Sequence, residues 1–175
     1  MAPSAFKKLQ DRHVLVIGGT SSIGYAVAEG ALADGARVTV ASSTQARIDT
    51  AVRTLAAQYG PAGAVQGVQG ASELPPPNWS VVVFFTGGTE ALTKGLAIDM
   101  ALVRVNTVLP GMVKTDLWKV LPDEQRDHFF ADMEKRLPVG AMGRPEDVAE
   151  AYLWLMKDRF VTGTMAHSNG GSLII

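Results

Sequence analysis

The sequence predicts an α/β fold built on a doubly wound parallel sheet, and three observations carry that reading. The stretch "HVLVIGG" (13–19) is a short apolar run ending in glycines, the pattern of a strand buried on both faces of a parallel sheet. Behind it, Ile23, Ala26, Val27, Ala31 and Leu32 recur at helical spacing over 22–34, and Gly35 follows as a stop. Strand, helix, strand, helix and strand then alternate with short connections, the signature of right-handed crossovers onto one sheet.

The elements follow in order. "ARVTVAS" (36–42) is the second strand. "TQARIDTAVRTLAAQYG" (44–60) repeats the helical pattern through Ile48, Val52 and Leu55, closed by Gly60 and Pro61, and "GAVQGV" (63–68) is a third strand. These elements make one mononucleotide-binding half of a Rossmann-type fold. "ASELPPPNWS" (71–80) breaks the rhythm, because three consecutive prolines fit neither a helix nor a central strand. The apolar, glycine-containing segment 81–100 reads as helix, and "VRVNTVLPG" (103–111) as a buried strand ended by Pro110 and Gly111. "PDEQRDHFFADMEKRL" (122–137) is an amphipathic helix with acids in its first turn. "RPEDVAEAYLWLMKD" (144–158) is a further helix with Pro145 near its start, and "GTMAHSNGG" (163–171) a last short strand and turn.

Bulk composition narrows the function. The 175 residues suffice for one domain spanning the chain, with no metal or disulfide staple required. Sixteen basic and seventeen acidic residues are balanced and scattered, which argues against nucleic acid or a membrane surface as partner. The absence of cysteine excludes thiol catalysis, thiolate zinc sites and disulfide scaffolds. "MAPSAFKKLQDRH" lacks the apolar core of a signal peptide and no apolar run is long enough to span a bilayer, so a soluble, cytoplasmic protein is expected. His13, His128 and His167 lack metal-site spacing, no serine stands in a G-x-S-x-G context, and Asp123, Glu124 and Asp127 suit a helix N-terminus better than a catalytic carboxylate pair.

The chemistry-bearing pattern lies between the first strand and the first helix. Gly18, Thr20, Ser21, Ser22, Ile23 and Gly24 have the spacing of a phosphate cradle, in which glycines admit a sharp turn and a close approach of the diphosphate to the main chain. The N–H groups that open the helix then face the phosphates. Ser22 stands where such cradles usually place a second glycine, and its hydroxyl can donate to a phosphate. At the end of the second strand, Ser42 and Ser43 replace the carboxylate that would hold the 2′-hydroxyl of NAD. With Arg47 one helical turn on, they favour a 2′-phosphate, hence NADP(H). An ordinary strand-to-helix turn, followed by a serine cap and a solvated arginine, is the alternative reading of both stretches.

With "GGTSSIG", "RVNTVLPGMVKTDLW", "GRPEDVAEAYLWLM" and "TGTMAHSNGG" in register, nearly the whole chain resembles the short-chain dehydrogenase/reductase family. The resemblance implies that the backbone near Val113 and the hydroxyl of Thr115, in "PGMVKT", meet a nicotinamide carboxamide. It also implies that Asn106, Pro110 and Gly111 shape the strand end. Two departures stand out. The family's catalytic Tyr and Lys, one helical turn apart, fall on Val82 and Thr86, and neither can do their work. Tyr25, Tyr59 and Tyr152 lie in other elements. The family also carries two further strands, with their helices, where this chain passes from residue 70 to 71. Without these central strands the first strand must pair with "VRVNTV" or leave an open edge.

"PPPNWS" followed by "GGTEALTKGLAIDM" is similar to an atypical fungal branch of the family, active in indole-alkaloid pathways and lacking the Tyr/Lys pair. That likeness implies NADP(H) binding, reduction of iminium-type intermediates, sometimes with cyclisation, and an acid three residues before the tryptophan. Here Trp79, expected to line a substrate pocket, keeps the aromatic, while Pro76 stands in place of the acid. The expectation is an NADP(H)-dependent reductase of imines or iminium ions in secondary metabolism, acting on a small molecule. Family members commonly pair, so a homo-oligomer is expected as well. A non-redox cyclase with a bound dinucleotide and a truncated, inactive family member are the alternatives.

Overall fold

The computed structural model describes residues 7–60, 64–69 and 89–175. Its elements follow the order β1 (His13–Ile17), α1 (Ser22–Ala33), β2 (Arg37–Ser42), α2 (Gln45–Tyr59), β3 (Val65–Gln69), α3 (Thr89–Asp99), β4 (Thr107–Pro110), α4 (Asp123–Arg136), α5 (Pro145–Lys157) and β5 (Met165–Ser168). A 3-10 turn (Asp116–Val120) precedes α4. The expected helix over 81–100 is seen from Thr89 onward, its first part lying outside the described residues. The strand expected over 103–111 is shorter, because Val105 and Asn106 are buried but bond to the segment before β5 rather than to a strand partner.

All strand pairs are parallel, as the apolar runs and crossover helices require. β1 pairs with β2 and β2 with β3, whereas among the described residues β4 pairs only with β5, in a separate sheet. Of the two outcomes the short chain allowed, the structure has the open edge: among the described residues β1 has no second strand partner, and Ile17 at its end is 72% exposed. Among the described residues the fold is α/β and Rossmann-like, with five strands in two sheets.

Helix packing joins the halves. Ala26, Val27, Ala28, Ala31 and Leu32 of α1 bury against β1, β2 and α5, and Ala149 and Leu153 of α5 enter the same core. Gly30 lets the two helices approach, since a Cβ there would overlap the Leu153 side chain. Lys157 at the end of α5 reaches Asp34, just past α1, at 3.4 Å. On its other face α5 packs Val148 and Leu155 against Val108 of β4 and Ala166 of β5.

The C-terminal end of α5 is held by Arg104. Its guanidinium donates to the carbonyls of Leu155 at 2.7 Å, Met156 at 3.1 Å and Val161 at 3.1 Å, satisfying acceptors that a helix end leaves open. Asn106 donates to Val161 O at 3.0 Å and accepts from Thr164 N at 3.1 Å, which clips the approach to β4 onto the approach to β5. At the start of α5, the Arg144 amide donates to Asp147 Oδ2 at 2.8 Å, with Pro145 in the first turn.

Candidate functional site

The turn between β1 and α1 is built from its own backbone. The Gly18 amide donates to Ala41 O at 2.8 Å, fixing the turn to the end of β2, and Gly19 N reaches Val16 O at 3.2 Å. A Cβ on Gly24 would collide with the Gly18 carbonyl oxygen, so the first turn of α1 lies directly on the main chain before it. Ser21 takes the N-cap position with extended backbone, and its side chain makes no capping bond. The amides of Ser22, Ile23 and Gly24 donate to no acceptor among the described residues, so the donors that open the helix are available to an anion.

Ser22 carries strain. Its φ of +52° is left-handed, as is the +80° of Gly18, and a side chain in that region costs roughly 1–2 kcal/mol. Serine here holds the conformation that a glycine would hold freely.

At the end of β2, Ser42 is half-buried, and Ser43 and Arg47 are exposed. None of these three side chains has a hydrogen-bond or ion-pair partner among the described residues. Thr44, rather than a serine, occupies the N-cap of α2, and it makes no capping bond either. The nearest carboxylate on α2, Asp49, is taken by Gln45 at 2.7 Å.

The third group follows β4. Pro110 ends the strand, and Gly111 N donates to Ser168 O at 2.9 Å, with Asn169 too close to admit a Cβ on Gly111. Val113 is buried beside Gly143, and its carbonyl accepts from Trp118 Nε1 at 2.8 Å. The Val113 amide and the Thr115 hydroxyl have no protein partner among the described residues.

Two of these groups meet. A cleft of about 410 Å³ lies between Ser22 of α1 and Thr115, with Lys114, Arg126, Phe130 and Pro145 along its walls and the Asp116–Lys119 pair also lining it. Trp118 backs this wall, its ring 5.0 Å from Phe129 and 5.8 Å, edge-on, from Phe130. Lys114 Nζ sits 5.4 Å over the Phe130 ring and 2.7 Å from Glu134. Ser42, Ser43 and Arg47 do not line this cleft. Arg126 and Phe130 were not singled out by the sequence: their helix is amphipathic with an acidic first turn, and neither property marks the side chains that line the cleft.

The tyrosines are not activated. Burial pushes the Tyr152 phenol above its ordinary value. Tyr25 is raised by burial and then by the charge of Glu29, and Tyr59 by burial and by its hydrogen bond to Glu29 at 3.1 Å. All three shifts favour the neutral phenol, the opposite of what the family's lysine does for its tyrosine. Trp79, Pro76, Val82 and Thr86 lie outside the described residues. No helix among those described is long and apolar enough to cross a membrane.

Comparison with known proteins bears on this geometry. The model of an SDR-like Rossmann domain matches residues 5–69 and 56–175. The short-chain dehydrogenase/reductase malC of Malbranchea aurantiaca is 42% identical over 100 residues, 57% of this chain and 38% of that protein. The chain spans about two fifths of the length of such curated relatives. The short-chain dehydrogenase/reductase ucsE of an Acremonium species is 24% identical over 263 residues, covering 99% of this chain and all of the relative. Among solved structures, the MalC reductase/Diels-Alderase of Malbranchea aurantiaca superposes with a TM-score of 0.85 at 26% identity, over 98% of this chain and 100% of that one.

Proposed function

The chain belongs to the short-chain dehydrogenase/reductase family, and from that premise we propose that it is an NADP(H)-dependent reductase with a nonclassical site, acting on an imine or iminium ion. The family is one of oxidoreductases that use nicotinamide dinucleotides. The observation that carries the reading is the set of unpaired amides at Ser22, Ile23 and Gly24, opening beside a cleft that also reaches Thr115. Those amides and the Ser22 hydroxyl would hold the diphosphate, with Gly18, Thr20 and Ser21 shaping the turn around it. Ser42, Ser43 and Arg47 would hold a 2′-phosphate, and their unpartnered side chains leave every donor available for it. Pro110 and Gly111 set the strand end from which the Val113 amide and the Thr115 hydroxyl would orient the carboxamide.

The bound reduced cofactor supplies a hydride, which an iminium carbon, already beside a cationic nitrogen, accepts without a proton donor. With Val82 and Thr86 at the positions of the family's tyrosine and lysine, and no tyrosine among the described residues lining the cleft, such a substrate suits the site better than a ketone, whose alkoxide product needs a proton. The chain's share of the work is orientation of the cofactor and substrate in the cleft bounded by Phe130 and Pro145.

Fluorescence titration with NADPH and NADH tests the first half of the reading. Tighter NADPH binding is expected, and equal or absent binding overturns the preference. Loss of reduced-nicotinamide absorbance on adding a cyclic iminium tests the second. Product change without cofactor consumption would instead support the cyclase alternative, and no change at all would favour an inactive protein. The alignment with ucsE runs over 263 residues against 175 here, which supports a shortfall within the chain, and the family pattern puts that deletion between residues 70 and 71. An intact mass of the expressed protein checks that deletion.

A further inference from the structure

The cleft is lined by three cations that the cofactor contacts proposed above do not use, Lys114, Lys119 and Arg126, of which Lys114 is engaged by Glu134 and the Phe130 ring. Of the other two, Arg126 is the more informative. Its side chain is 24% exposed, although it sits in the first turn of a surface helix, while its partners Asp123 and Asp127 are 86% and 72% exposed. Nη1 contacts Asp123 at 2.8 Å and Nε lies 3.6 Å from Asp127, so the two acids steady the guanidinium at the cleft wall from the solvent side. A guanidinium has five N–H donors in a planar fork, and two such contacts leave the rest of the fork available. Lys119 is held by Asp116 at 2.8 Å with both groups largely exposed, a pairing that water and salt weaken and that a multiply charged anion can displace.

We propose that Arg126, assisted by Lys119, forms an oxyanion-binding wall that takes a phosphate-type group lying in the cleft. The group it recognises carries several equivalent anionic oxygens, which match the planar fork two at a time. Such oxygens have two sources, the diphosphate of the dinucleotide or an anionic group on the substrate. The first source rests on the dinucleotide reading given above, and the second does not.

Titration calorimetry with sodium pyrophosphate and, separately, with NADPH tests the proposal on the wild-type protein and on Arg126→Gln, Arg126→Lys and Lys119→Gln. Pyrophosphate binding should weaken roughly tenfold or more in Arg126→Gln, less in Lys119→Gln, and be partly kept in Arg126→Lys. The wild-type affinity should also fall with added salt more steeply than that of Arg126→Gln. If NADPH weakens in parallel, the wall serves the dinucleotide. If NADPH is unaffected, or does not bind the wild type at all, while pyrophosphate binding depends on Arg126, the wall stands and serves the substrate. Pyrophosphate that fails to bind the wild type, or binds Arg126→Gln equally well, overturns the proposal. Should Arg126→Gln melt early, Lys119→Gln decides alone, since its side chain is 72% exposed; unchanged pyrophosphate binding in it overturns the proposal too.

Discussion

The two halves of this molecule are assembled by different means. The β1–α1–β2–α2–β3 half is a continuous run in which each strand pairs with its neighbour in sequence, so its β1–α1 turn, the proposed cradle, is shaped by a few adjacent residues. The α3-to-β5 half has one strand pair, and its alignment with the first half depends on α5 lying against α1 rather than on a shared sheet. The cradle is therefore a local object, and the cleft is a long-range one. Damage to the helix contact should open the cleft and leave the cradle intact, whereas damage to the turn should do the reverse.

Leu153→Ala tests that contrast most strongly. It removes the side chain that meets Gly30 across the helix contact, and should cost about 2–5 kcal/mol in urea unfolding. Hydrogen exchange should show faster exchange in β4 and β5 than in β2; uniform loss of protection would merge the two halves into one cooperative unit. Gly24→Val works from the other side. The added Cβ displaces the Gly18 carbonyl and should weaken NADPH roughly a hundredfold, with the α1–α5 packing retained. Unchanged affinity would show that the first turn of α1 is not the diphosphate site.

Smaller effects sharpen the same division. Arg47→Gln should narrow the preference for NADPH over NADH by about tenfold without touching the cleft, as read by paired titrations. Ser22→Gly removes left-handed strain of roughly 1–2 kcal/mol and adds about 0.5–1 kcal/mol of unfolded-chain entropy. A net gain near 0.5 kcal/mol should raise the melting temperature by a degree or two. A fall would mean that the Ser22 side chain makes a stabilising contact that offsets its backbone strain.

The contrast also explains what could be read in advance. The turn between β1 and α1 was legible because Gly18 and Gly24 are required by backbone conformation and by contact within one short segment, and such needs leave a mark in local spacing. The described α-helices and strands stand where the sequence places them, with boundaries shifted by a residue or a few, while the 3-10 turn at Asp116–Val120 left no signal. Arg126, Phe130 and Trp118 were not, since their roles come from a wall that forms only when α4 and the 3-10 turn stand across from α1. Nor could spacing show that Ser22 would accept a positive φ, because serine has no local requirement for it.

Order of elements, parallel strand direction and the conformation of the β1–α1 turn were determined by the sequence itself, since each depends on neighbours within a turn or two of chain. Which edge would stay open, and which side chains would face each other across the cleft, was decided only by the tertiary structure. Among the described residues no strand joins β1 to β4, and the register between the halves passes to the side-chain packing of α1 on α5, which no local pattern encodes.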